Sequence, residues 1–381
     1  MPVLQQIGRT GKFFVAEEAT YAAAVVLAGG DAMRHLEVGF SYNLNRSNSL
    51  ERRGTPGLLD RFSRHIVAGF DLRAAYLNPS GTLGTVGESD PIIKNGMGAV
   101  STSTAATTVA SGSSATVFTV QAGQGTNFPV GKVIAIRRAA NGSIVEPRRV
   151  TVQATDTLTV SPALGGTPAS GDTVKRGVDY TLANLLPKSL VMARYLANQS
   201  FELQGAVVDK LGFTINGNDE VKFRASGPAK TQIRPAQAEP GAFTTVGSPV
   251  TGIVGAMLLN GTAYKLTNFD IEINNMIELV NDSVGQSAAE DYYRNGRRDI
   301  TLSVDARITD DASLYALAEA ASDGNVMIHA GNTEGRVIAF CMPRSEWDIP
   351  DTPDDEGALR WSFKGVAKEI LGNDELIVAL L

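Results

Sequence analysis

Cysteine is almost absent. Cys341 stands alone, so no disulfide can form within the chain and the fold does not depend on an oxidising compartment. Its neighbours Phe340 and Met342 mark it as a small buried hydrophobe rather than a nucleophile. Histidine is nearly as scarce. His35, His65 and His329 lie far apart, and one cysteine cannot make a C-x-x-C pair, so no metal-ligand spacing appears. Long apolar runs are also missing. The longest, A-A-A-V-V-L-A at 22–28, falls well short of the ~20 residues a membrane helix needs. The N-terminal M-P-V-L-Q-Q-I-G-R-T-G-K lacks the charged-then-apolar order of a secretion signal, which leads to an expectation of a chain made in the cytosol. No excess of basic charge exists either. With 34 Lys and Arg against 40 Asp and Glu, the formal charge is −6. That argues against a protein that grips nucleic acid through lysine and arginine.

Reactive motifs are equally thin. Gly131-Lys132-Val133 holds the Gly-Lys of a phosphate loop without its hydroxyl residue or its spacing. No G-x-S-x-G elbow occurs. The acidic run Asp351–Glu356 matches no known cation loop and is interrupted by Pro353, so it reads as a solvated loop. No enzyme, cofactor or metal site is expected.

What is present is strand grammar. Gly numbers 39, and hydrophobic residues make up 43% of the chain, which suits a folded, turn-rich β protein. Leu211, Phe213 and Ile215 alternate with Thr214 and Asn216. After the turn at Asn216–Asp219, Val221, Phe223 and Ala225 alternate with Lys222, Arg224 and Ser226. Successive strand side chains face opposite sides, so this is a half-buried hairpin. Similar strands are expected at Leu36–Leu44, Ile66–Tyr76, Tyr264–Asn274, Asp299–Ile308, Val326–His329, Arg336–Met342, Leu359–Val366 and Glu375–Leu381. The alanine-rich stretch near Tyr21 fits a short helix or an extended arm.

One helix is expected after Asp310 or Asp311. Leu314, Leu317, Ala318 and Ala321 share one face of it, and Gly324 sits where a left-handed C-terminal residue is wanted. The tetrapeptide Gly217-Asn218-Asp219-Glu220 recurs as Gly372-Asn373-Asp374-Glu375, and both read as hairpin turns. No longer period is visible.

Two regions interrupt this pattern. Residues 45–65 connect two strands by a long arm carrying Arg46, Glu51, Arg52, Arg53, Leu58, Leu59, Arg61, Phe62 and Arg64. A connection that long is usually functional, with the arginines suited to acidic groups of a partner and the apolar residues suited to docking. The plain stretch 99–116 reads as a linker or surface strand. Beyond it, short strands at Val117–Val120, Val133–Arg137, Arg148–Val152 and Thr157–Val160 with Gly and Pro turns predict a small β-barrel or sandwich. The expected domains are a discontinuous core, 1–112 and 178–381, with an inserted β domain at 113–177.

K-S-L-V-M-A-R-Y at 188–195, F-E-L-Q-G-A-V-V-D-K-L-G-F-T-I at 201–215 and F-R-A-S-G at 223–227 carry a resemblance. So do D-P-I-I-K-N-G-M-G at 90–98 and I-T-L-S-V-D-A-R-I-T-D-D-A-S-L-Y-A-L at 300–317. Across about 36–98 and 185–381 the chain resembles the tail tube (major tail) proteins of long-tailed bacteriophages. The resemblance implies a mainly β fold, a sandwich or barrel with one flanking α-helix, the insertion lying outside the tube. It implies six subunits per ring and rings stacked around a tape-measure protein. Tail terminator and distal tail proteins are further implied partners, and viral double-stranded DNA passes through the lumen. It also implies assembly in the host cytoplasm and residence in the virion tail. Six copies at −6 each would give a formal −36 per ring, which would repel DNA phosphates if part of it lined the lumen. Another tail component, such as a tail terminator, or a carbohydrate-binding or adhesion module remains an alternative. The latter needs exposed aromatics in the insertion, where only Phe118 and Phe128 are available.

Overall fold

A computed structural model describes residues 11–48, 61–63, 65–139, 144–185, 187–196, 199–234, 238–264, 266–307, 313–350 and 360–381. The chain opens with β1 (Lys12–Glu17), β2 (Ala32–Met33), β3 (Glu37–Asn43), β4 (Arg46–Asn48), β5 (Arg61–Ser63) and β6 (Val67–Tyr76), followed by helix α1 (Asp90–Met97). Strand β7 (Gly98–Thr102) leads into β8 (Ala106–Gly112), β9 (Val117–Val120), β10 (Val133–Arg137), β11 (Val145–Ala154), β12 (Thr157–Ser161) and β13 (Thr173–Lys175). Strand β14 (Val178–Leu182) leads out to β15 (Leu190–Leu196), β16 (Gln199–Ala206), β17 (Lys210–Asn216), β18 (Lys222–Ala229) and β19 (Thr231–Ile233). The chain continues with β20 (Gly255–Leu259), β21 (Thr262–Tyr264), β22 (Leu266–Asn274), β23 (Ile277–Val280), β24 (Asp291–Arg294) and β25 (Asp299–Arg307). Helix α2 (Ser313–Glu319), β26 (Gly324–Ala330), β27 (Ile338–Trp347), β28 (Arg360–Lys368) and β29 (Ile377–Leu380) complete it. The protein is mainly β, as the strand grammar predicts.

One wall of antiparallel strands organises the molecule, in the order β3-β6-β18-β17-β22-β25-β28-β27. Strand β27 then changes layer. Its C-terminal half, Arg344–Trp347, pairs with β28, while Ile338–Cys341 pairs with β29. The second layer therefore folds back over the wall through β26, β20, β29 and β14, and a five-stranded sheet of β19, β16, β15, β1 and β2 extends the cover. Phe340 on β27 meets Phe213 of β17 at 5.1 Å and Phe269 of β22 at 6.3 Å between ring centres. This buried cluster is the main core.

The wall repeats one order. In chain order its strands are β3, β6, β17, β18 and then β22, β25, β27, β28, and each set lies in the sheet as first, second, fourth, third. A helix follows the second strand each time. This corrects the reading of the sequence as having no longer period. The repeat is one of strand order, and the inserted barrel breaks its spacing along the chain.

The barrel is closed by six strands, β10-β11-β12-β9-β8-β13, around its own core of Phe118, Phe128, Ile134 and Val150. It takes in β8, part of the stretch that the sequence reads as linker or surface strand. Ala, Ser and Thr carry little periodicity, so composition alone did not choose between the two. Entry and exit are zipped together, β7 against β14 from Val178↔Thr102 to Leu182↔Gly98. The barrel docks on the outer face of the second layer, where Val133, Ala135 and Val145 pack on Met327, Ala339, Cys341 and Ala379. That layer is thus buried on both faces, which is why β29 and the first half of β27, Ile338–Met342, read as unbroken apolar runs.

Other expectations change. Helix α1 is an addition to the single helix expected. Pro91 sits at its start, Ile92, Ile93 and Met97 are buried, and Gly98 (φ 109°) ends it. Two turns of helix are too short for a period to stand out. Helix α2 stops at Glu319, and Ala321 (φ 47°) takes the left-handed turn in place of Gly324, which instead begins β26. Gly217-Asn218-Asp219-Glu220 joins the paired strands β17 and β18. Gly372-Asn373-Asp374-Glu375 joins β28 to β29, which do not pair with each other, so it is not a hairpin turn. Around Tyr21 the chain is neither helix nor strand. Asp310, Asp311 and the run Asp351–Glu356 lie outside the described residues.

Candidate assembly surface

The long connection between β3 and β6 begins as a paired ribbon. Strand β4 opposes β5, with Arg46↔Ser63, Ser47↔Phe62 and Asn48↔Arg61. Arg46 is exposed, and Arg61 and Phe62 are placed on β5. Glu51, Arg52, Arg53, Leu58, Leu59 and Arg64 lie outside the described residues. Ribbon β23–β24 rises from the β22–β25 connection as the arm does from β3–β6. The roots of the two extensions meet where Ile66 donates its N–H to the Ser287 carbonyl at 2.8 Å, beside a cleft of about 620 Å³ lined by Asn45, His65, Val67 and Asn281.

The wall's outer face is polar and carries both signs of charge. Asp71, Asp270, Glu272 and Asp305 share it with Arg73, Lys210, Lys222, Arg224 and Lys364, alternating with core residues along each strand. Arg224 holds this face together. Its guanidinium donates to Asp270 Oδ1 at 2.7 Å, Asp270 Oδ2 at 2.8 Å and Glu272 Oε2 at 2.9 Å. It reaches from β18 to β22 by crossing over Gly212 of β17, the residue opposite it in register. A Cβ at Gly212 would lie 2.6 Å from the Arg224 guanidinium carbon. Glycine there leaves the passage open. The Asp270 hydrogen bond raises Arg224 above the usual arginine range. Lys222, hydrogen-bonded to Asp219, holds that carboxyl at about 2.

Cys341, His329 and Asp179 lie where the barrel meets the second layer. Cys341 is buried, and burial pushes its thiol up to about 12. His329 is brought down to about 4 by burial first and then by Arg148. Asp179 is raised by burial and accepts from Val133 N–H and Arg176 Nε, both at 3.2 Å. These groups stitch the barrel to the second layer, as does the ion pair of Arg149 and Asp374 at 2.9 Å. Among the described residues no cluster of His, Cys, Asp and Glu could hold a metal ion, and no helix is long and apolar enough to cross a membrane. Phe118 and Phe128 are fully buried, so neither offers a platform for a sugar ring.

A filled core, a sheet with open edges and a paired polar face define a structural building block. The model of the phage tail tube protein family matches residues 8–363, and the chain belongs to that family. It is a structural protein of the bacteriophage virion tail. A search of the curated proteins returned no match. The family was legible in the sequence. The ladder built on Arg224 was not, although a glycine facing an arginine across a predicted hairpin is the signal that marks it.

Proposed function

We propose that the chain self-assembles into stacked rings of sixfold outline that form the tail tube of a siphovirus, a conduit for double-stranded DNA. The observation that carries this reading is the wall sheet. Among the described residues strand β3 has a partner on one side only, and an unpaired edge invites a strand from another copy. Joining walls edge to edge closes a ring in which no wall edge is left open. The uncovered polar face then lines the lumen. The barrel, docked on the layer behind the wall, falls on the exterior, in line with an inserted domain that is separate from the tube core. The lumen is not uniformly acidic in this arrangement. Arg224 is already saturated by Asp270 and Glu272, so it offers passing phosphates little to hold. The 45–65 arm reaches the adjacent ring, with Arg46, Glu51, Arg52, Arg53, Leu58, Leu59, Arg61 and Phe62 as contacts. Tape-measure, tail terminator and distal tail proteins are the other partners, and assembly takes place in the host cytoplasm.

Negative-stain electron microscopy with mass photometry tests this. Hollow rings or tubes are expected at high concentration, and deletion of 45–65 should leave rings that do not stack. Tails isolated from particles that lack this chain in their wall would sink the reading.

A further inference from the structure

We infer that one chain supplies two adjacent wall segments of the ring, so that a ring contains half as many chains as segments. The inference rests on the tube reading above, and for a sixfold outline it gives three chains.

The strand order is the first ground. Strands β3, β6, β17 and β18 form one segment; β22, β25, β27 and β28 form the other, with the same order in the sheet. Every neighbour pair is antiparallel. The first strands β3 and β22 therefore run in the same direction, as a rotation about the tube axis requires. Each segment sends a two-stranded ribbon from its first connection, β4–β5 and β23–β24. Each places a helix after its second strand.

Sequence supports the match once the strands are aligned. F-S-Y-N-L-N at 40–45 corresponds to F-D-I-E-I-N at 269–274, and K-F-R-A-S-G-P-A-K at 222–230 to R-W-S-F-K-G-V-A-K at 360–368. In the latter pair Phe223, Ala225 and Ala229 face the core, as do Trp361, Phe363 and Ala367.

The third ground is what the matching positions bury. Within the chain, β17 of the first segment pairs with β22 of the second over seven residues, Lys210↔Asn274 to Asn216↔Asn268. This is a closed seam. Ile271 and Ile273 on β22 are 0% exposed there. Their counterparts at the outer edge are Tyr42 on β3, 41% exposed, and Leu44 just beyond its end, 38% exposed. At the far edge the same contrast appears. Trp347 pairs with Gly365, and Asp348 continues the pairing by donating its N–H to the Lys364 carbonyl at 2.8 Å. Ile349 thus stands where Leu211 stands in the first segment. Leu211 is 0% exposed and Ile349 is 56% exposed. The apolar residues left bare on both edges are those that the internal seam covers. A second copy of this chain, its β3 beside Ile349, makes the same seam again.

Mass and density decide the matter. Rings of sixfold outline should weigh three times 40.2 kDa, about 121 kDa, by mass photometry; six times 40.2 kDa, about 241 kDa, overturns the inference while leaving the tube reading intact. If the purified chain stays monomeric, cryo-electron microscopy of tails isolated from particles should trace two adjacent wall segments to each chain. One segment per chain overturns the inference. Absence of the chain from the wall overturns the tube reading on which it rests. The double variant Tyr42→Asp with Leu44→Asp should keep the circular dichroism and melting temperature of the monomer and lose ring formation at least tenfold in concentration. Ring formation at the wild-type concentration would show that β3 is not the seam.

Discussion

The inserted barrel and the wall sheet are built from the same short antiparallel strands, yet they end differently. The barrel closes on itself, β13 returning to both β10 and β8, so none of its strands has a free edge. Among the described residues the wall stops at β3 with one side unpaired and with Tyr42 and Leu44 half-bare. Closure makes a self-sufficient unit, whereas an open edge is unfinished and calls for another copy. One chain thus holds a module closed on itself and, on the proposed reading, a module that propagates through its open edge.

The largest expected effect separates the two. Phe340→Ala empties the junction of Phe213, Phe269 and the second layer and should cost about 3–5 kcal/mol, read by urea denaturation, with loss of ring formation. Phe118→Ala should destabilise the barrel comparably but leave ring closure intact. If it abolishes rings, the barrel is not a bystander in assembly. Next comes the joint between the two. Arg149→Ala leaves Asp374, whose side chain is largely buried, with only the Ile370 and Leu371 N–H donors, and should cost about 3 kcal/mol, with hydrogen exchange rising first where the barrel meets β29.

The same joint should respond to pH. His329 has a folded value of about 4 against an ordinary 6.5, so the unfolded chain takes up the proton first. The stabilisation is whole above pH 6.5, is lost as pH falls toward 4 and is level below that. The difference between wild type and His329→Gln should change by about 2–3 kcal/mol across this window. A flat difference would show that the imidazole is solvated. The smallest effect lies on the polar face. Arg224→Ala should cost about 1 kcal/mol, as expected of a partly exposed bidentate pair. Gly212→Val should produce a similar loss by closing the path of the guanidinium, and the double variant should be no worse than either alone.

The alternation of Leu211, Phe213 and Ile215 with polar neighbours was enough to predict β17, its inward face and its hairpin with β18, because pleat and burial are local. The scarcity of Cys and His, and the absence of any motif, were enough to direct attention away from chemistry. Short or plain segments were legible only in part. Strand β8 is Ala, Ser, Thr, Val and Gly, which left linker and surface strand open, and α1 has two turns, so each acquires its identity from the neighbours it packs on. The Gly-Asn-Asp-Glu echo misled because a tetrapeptide specifies a turn, not which strands the turn joins.

The sequence by itself determined the β character of this protein, the strands of its wall and its membership of the tail tube family, since period-two patterning and family resemblance are written residue by residue. Only the tertiary structure decided that the wall repeats one order twice, that Arg224 spans three strands over Gly212, and that β27 passes from one layer to the other beneath a docked barrel. Those facts depend on which strands lie side by side across more than a hundred residues, and pairing at that distance is settled by the packing of the whole core, not by the pattern of any one strand.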